Sequence, residues 1–93
     1  MNQRIHAIIR GVVQGVSFRY FVQQHANTLG LTGWTRNRIN GSVEVVAEGN
    51  KDDLEAFIKQ LHIGPQFAKV KVVDVEWLNA TNEYKIFKIA GTV

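Results

Sequence analysis

The chain contains no cysteine, which excludes disulfides, thiolate nucleophiles and thiolate metal sites. That absence fits a reducing compartment. Long apolar runs are missing too. The N-terminal "MNQRIHAII" lacks the hydrophobic stretch of a secretory signal, and no segment approaches the length of a membrane span. The expectation is a cytoplasmic protein without membrane partners. A large charge imbalance is also missing: a formal net charge of +3 favours an anionic ligand but is too small to specify nucleic acid. There are no repeats and no low-complexity segments. What is present is a chain of 93 residues, 45% of them hydrophobic, enough for one core and too short for a second. Residues 1–93 are expected to form a single domain.

Periodicity divides the chain into strands and helices. In "RIHAIIRGVV", Ile5, Ala7 and Ile9 fall on one face and His6 and Arg10 on the other, the pattern of a strand. From Phe18 to Leu29, the residues Phe18, Phe21, Val22, Ala26 and Leu29 recur at helical spacing, and Gly30 supplies a stop. "LTGWTRNR" and "SVEVVAEG" read as short strands joined through Asn40-Gly41, a strong hairpin signal. Asn50 is a candidate N-cap for a second amphipathic helix carrying Leu54, Phe57, Ile58 and Leu61, closed by Gly64-Pro65. "KVKVVDVEWL" is a strand whose apolar phase slips at Val72–Val73, which predicts a bulge there. "YKIFKI" is a last short strand.

The order β-α-β-β-α-β, plus a terminal strand, predicts a ferredoxin-like α+β sandwich with two helices on one face of an antiparallel sheet. That fold hosts RNA binders, metal carriers and small enzymes, so function has to be read from individual residues.

The segment "QGVSFR" joins the first strand to the first helix. A glycine-bearing loop at this place can turn successive backbone N–H groups into one concavity, to which the helix adds its positive end. Arg19 adds a planar, permanently charged fork suited to two phosphate oxygens. The segment is no nucleotide P-loop, since the lysine-serine/threonine ending is missing. The competing reading is a tight turn followed by a solvated arginine. Asn37 is a second candidate, because asparagine disfavours strand interiors. It could face the loop and both donate to and accept from a water, or simply bond its own backbone at the hairpin edge.

"GVVQGVSFR" followed by "GWTRNRINGSVEVVAEG" resembles the two signature segments of the acylphosphatase family. The likeness extends over essentially the whole chain, including the element order, the "GP" after the second helix and the terminal strand. It implies hydrolysis of a carboxyl-phosphate anhydride to a carboxylate and inorganic phosphate, without a metal or other cofactor. It implies that Arg19 binds the phosphate, that Asn37 orients the attacking water, and that Gln14, Gly15, Val16, Ser17 and Phe18 form the backbone cradle. An acyl phosphate would be the substrate, and inorganic phosphate both product and competitive inhibitor, with a monomer as the expected state. The chemistry asks for few groups. The leaving carboxylate is weakly basic and needs no general acid, while charge on the phosphoryl oxygens must be positioned and neutralised. Thr35 stands where the family usually has a small apolar residue; it is expected to face away from Asn37.

Other residues carry less. His6, His25 and His62 are widely spaced and form no ligand motif. Trp34, Trp77 and the phenylalanines fall at packing positions, and Asp52, Asp53 and Glu55 at a helix start, where they favour the dipole. An RNA-recognition module shares the element order, but "HAIIRGV" and "SVEVVAEG" lack its stacking aromatics. A non-catalytic domain of the kind found at the front of hydrogenase-maturation carbamoyltransferases is the other rival. Those proteins continue into further domains, whereas this chain ends at Val93.

Overall fold

The alternation in the first strand survives folding. In a computed structural model that describes residues 2–93, β1 (Gln3–Val12) buries Ile5, Ala7 and Ile9 on one face. α1 (Phe18–Thr28) follows, then β2 (Thr32–Asn37), β3 (Val43–Gly49), α2 (Lys51–Ile63), β4 (Lys69–Asn79) and β5 (Phe87–Ile89). The sheet order is β4-β1-β3-β2-β5. β3 contributes Val43, Val45 and Ala47 to the face already lined by β1. Both helices cover that face, delivering Phe18, Val22 and Ala26 from α1 and Leu54, Phe57 and Leu61 from α2. This is the ferredoxin-like sandwich that the element order predicts.

The helix ends follow local rules. Gly30, at φ 68, lets α1 close with Gly30 N–H on Asn27 O and Leu31 N–H on Ala26 O, a Schellman motif. The Asn50 side chain accepts from Asp53 N–H at 2.8 Å and donates to the Asp53 carboxylate at 2.8 Å, a reciprocal cap for α2. None of the helices among the described residues is long and apolar enough to cross a membrane.

Three details differ from the sequence reading. β5 covers only part of "YKIFKI" and runs parallel to β2, pairing Gly33, Trp34 and Thr35 with Phe87, Lys88 and Ile89, so the sheet is mixed. The chain crosses from one sheet edge to the other after β4 and so enters β5 in the direction of β2. The expected slip at Val72–Val73 is a bulge one step earlier: Arg10 pairs with Val72 but Gly11 with Val70, leaving Lys71 as the extra residue. Val70 and Val73 can therefore both pack on the core. The aromatic residues do not all pack, since Phe67 is exposed and Trp77 is 41% exposed at the β4 edge. Trp34 lies on the face away from the helices, where its indole N–H donates to the Tyr84 hydroxyl and Arg36 stacks over its ring at 4.6 Å.

That second face is held by a buried carboxylate. Glu48 is 1% exposed. It accepts from Arg4 Nε at 2.7 Å, from Thr81 N–H at 2.9 Å and from Asn82 N–H at 3.0 Å. These bonds fasten the segment that leads into β5. Burial alone would raise the Glu48 carboxyl. The Thr81 N–H, the Arg4 side chain and the Asn82 N–H outweigh it and hold the group below its ordinary value. A native value below the unfolded one means that the stabilisation is present above the unfolded value of about 4.3. It is lost as pH falls through the lowered native value. Glu48→Gln should cost about 2 kcal/mol at neutral pH, because either rotamer of the amide turns its NH2 toward a backbone N–H. In thermal unfolding followed by circular dichroism from pH 7 to about pH 3, the variant should lose less stability with acid than the parent. Equal losses would uncouple this carboxylate from folding.

Candidate active site

Strand register brings the two segments of interest to one place. Ile9 of β1 pairs with Val43 of β3, and Val43 pairs with Asn37 of β2. The exit of β1 and Asn37 thus lie on one row of the sheet, roughly 10 Å apart at ordinary strand spacing. All three residues face the helix layer, and the loop from Val13 to Ser17 rises between them.

The loop has an open backbone. Gly15 has φ 72, and Ser17, the N-cap of α1, sits in the left-handed region at φ 62. The Ser17 side chain makes no capping bond. Among the described residues, the N–H groups from Gly15 through Tyr20 have no hydrogen-bond acceptor in backbone or side chain. Some of these are the N-terminal donors that every helix leaves unpaired; the others come from the left-handed turn ahead of it. α1 has no acidic residue in its first turn to offset the positive end.

Gln14 fixes where this loop stands. Its side-chain amide donates to Arg38 O at 2.7 Å and to Ser42 O at 2.9 Å, the two ends of the β2–β3 turn. That turn is itself braced: Ser42 is buried, its N–H and hydroxyl both bond Asn40 Oδ1, and Arg38 N–H donates to Ser42 O.

A cleft of about 360 Å³ opens between loop and strand, lined by Gly15, Ser17, Phe18, Arg19, Tyr20, Asn37 and Ile89. Arg19 is its only charged residue and has no carboxylate within 4.0 Å among the described residues. Arg4 and Arg36, by contrast, are held by Glu48 and Glu44. The Asn37 side chain is half-buried and makes no hydrogen bond among the described residues, so its amide does not close on its own backbone. An anion in this cleft would meet a guanidinium, a run of free N–H donors and a carboxamide able to hold water.

Of the segment 14–18, Gly15, Ser17 and Phe18 reach the cleft. Val16 packs against the core instead, and the Gln14 side chain turns toward the hairpin. Thr35 does not face away from Asn37. Residues two apart in a strand share a face, and Thr35 is fully buried beneath the helices, its hydroxyl donating to Glu44 O at 3.0 Å. Of the histidines, His6 contacts Glu44 at 2.6 Å, His25 stacks on Phe21 and His62 is exposed. No group of three His, Asp or Glu side chains that could hold a metal occurs among the described residues. Two lining residues, Tyr20 and Ile89, had no signal in the sequence. Ile89 reaches the cleft only because β5 pairs with β2.

A family model for Acylphosphatase matches residues 5–89. The acylphosphatase of Salinibacter ruber is 45% identical over 88 residues, covering 95% of this chain and 93% of that protein. The crystal structure of acylphosphatase from Bacillus subtilis superposes with a TM-score of 0.92 at 38% identity, covering 97% of this chain and 99% of that one. Full-length HypF, solved in a phosphate- and nucleotide-bound form, contains a similar unit, with a TM-score of 0.91 at 34% identity. There the likeness covers 99% of this chain but 12% of HypF. The extent of these matches, over a fold and a cleft already described, places the chain in the acylphosphatase family of enzymes.

Proposed function

We propose that residues 1–93 act as one domain that hydrolyses acyl phosphates to a carboxylate and inorganic phosphate, with Arg19 and Asn37 as the catalytic side chains. The observation that carries this reading is the convergence of free backbone N–H groups, an unpaired guanidinium and an uncommitted carboxamide on one cleft. The phosphoryl group sits in the loop 14–18, where the free N–H groups and Arg19 bind its oxygens. Charge on those oxygens in the transition state is then met by donors already in place. The Asn37 amide holds a water in line with the phosphorus. As the water oxygen bonds to phosphorus, the bridging P–O bond breaks and its electrons leave with the carboxylate. A phosphate oxygen takes the proton from the water. Positive charge is supplied by the chain itself, so no metal is required. The same proposal includes a cytoplasmic monomer, inhibited competitively by inorganic phosphate.

Three experiments test the assignment. Arg19→Ala should lower kcat/KM for benzoyl phosphate by at least about 3 kcal/mol in transition-state free energy and weaken phosphate inhibition. Arg19→Lys should recover little, lacking the planar fork. Near-parent activity in Arg19→Ala would overturn the site. Asn37→Ala should reduce kcat by about two orders of magnitude or more while phosphate affinity changes far less; a steady kcat with collapsed phosphate binding would make Asn37 a substrate ligand. Exhaustive treatment with a chelator should leave the rate unchanged, and activity lost and then restored by an added divalent ion would reject the metal-free route.

A further inference from the structure

The cleft lining is of two chemical kinds. One is polar, built from the loop N–H groups, Arg19 and Asn37. The other is apolar and faces solvent. Tyr20 is 59% exposed and Ile89 is 39% exposed, and both line the same cleft. Isolated exposed apolar side chains are ordinary on protein surfaces. Here two of them, from elements far apart in the chain, line one cavity whose other residues are polar or glycine apart from Phe18.

Their positions are set independently. Tyr20 belongs to the first turn of α1, directly after Arg19. Among the described residues its hydroxyl has no hydrogen-bond partner and its ring packs on no other aromatic. Ile89 pairs with Thr35 and so lies on the face that carries Asn37 two residues further along β2. Ala90 N–H on Thr35 O, at 2.8 Å, secures it there. Neither residue braces the polar lining, and the cleft contains no acidic side chain.

We infer that Tyr20 and Ile89 form a binding lip for the acyl group, which selects aromatic or branched apolar acyl phosphates over acetyl phosphate. This rests on the reading of the cleft as an acyl phosphate site. With the phosphoryl group at the polar lining, the acyl carbon follows directly after the bridging oxygen, so the acyl substituent emerges at the rim. A flat or branched apolar group there covers the Tyr20 ring and the Ile89 side chain and removes apolar surface from water. Acetyl offers one methyl group and gains little.

The test compares benzoyl phosphate and acetyl phosphate with the parent, Tyr20→Ser, Ile89→Ser and Tyr20→Phe proteins, each first checked for folding by circular dichroism. The benzoyl-to-acetyl ratio of kcat/KM should fall threefold or more in each serine variant, chiefly through the KM for benzoyl phosphate. Tyr20→Phe, which keeps the ring, should retain the parent ratio. Inhibition by inorganic phosphate, which has no acyl group, should weaken less than benzoyl phosphate binding does. A ratio that falls less than threefold overturns the lip. So does a parallel loss on both substrates, or a loss of phosphate inhibition as large as the loss of benzoyl phosphate binding, since either puts the effect at the polar lining. If the folded parent turns over neither anhydride, the acyl phosphate reading fails and the lip with it, an outcome distinct from turnover without discrimination.

Discussion

The site depends on one side-chain amide. β1 and β2 are not neighbours, because β3 lies between them. The loop after β1 and the turn after β2 are therefore brought together beyond the strand ends rather than by a ladder. Gln14 makes that connection, with one nitrogen donating to both Arg38 O and Ser42 O. The free N–H groups that follow Gln14 and the Asn37 side chain that precedes Arg38 inherit their relative positions from this bridge. A neutral donor suits the task. It satisfies two half-buried carbonyls without adding charge beside a cleft that would receive an anion.

The charges of the molecule are divided between its two faces. On the face away from the helices, Arg4 is committed to Glu48 and Glu83, and Arg36 to Glu44. Burial raises the Glu44 carboxyl, but His6 and Arg36 outweigh it and hold the group below its usual value. These groups form a satisfied network. Around the cleft the arrangement is the reverse: a guanidinium without a carboxylate, a helix start without an acid, and amide donors without acceptors. Unmet donors at the cleft and met ones in the Glu44 and Glu48 network separate a site able to bind an anion from one that holds shape.

Much of this was legible in the sequence. Alternation over Ile5, Ala7 and Ile9 and helical spacing over Leu54, Phe57 and Leu61 are local signals, and each element formed where its period placed it. Arg19 and Asn37 could be singled out as candidates, an arginine opening a helix after a glycine-bearing loop and an asparagine inside a strand, but each also fitted a structural role, and their assignment came from the family resemblance. What could not be read depends on pairing between distant segments. The parallel course of β5 is fixed by the crossing held at Glu48, and with it the presence of Ile89 in the cleft. The second role of Gln14 depends on a turn that lies 24 residues away. Thr35 follows a local rule that the expectation did not apply: a strand period of two places it with Asn37, not opposite.

The position of β1 in the middle of the sheet also shapes how the molecule reaches its native state. β1 is made first but pairs with β3 and β4, never with the element that follows it. Only the β2–β3 hairpin joins strands adjacent along the chain. The nucleus must therefore close long loops before it gains the contacts that reward closure. Such a topology folds more slowly than a helical bundle of equal length. During that interval the Ile5, Ala7 and Ile9 face of β1 waits unpaired.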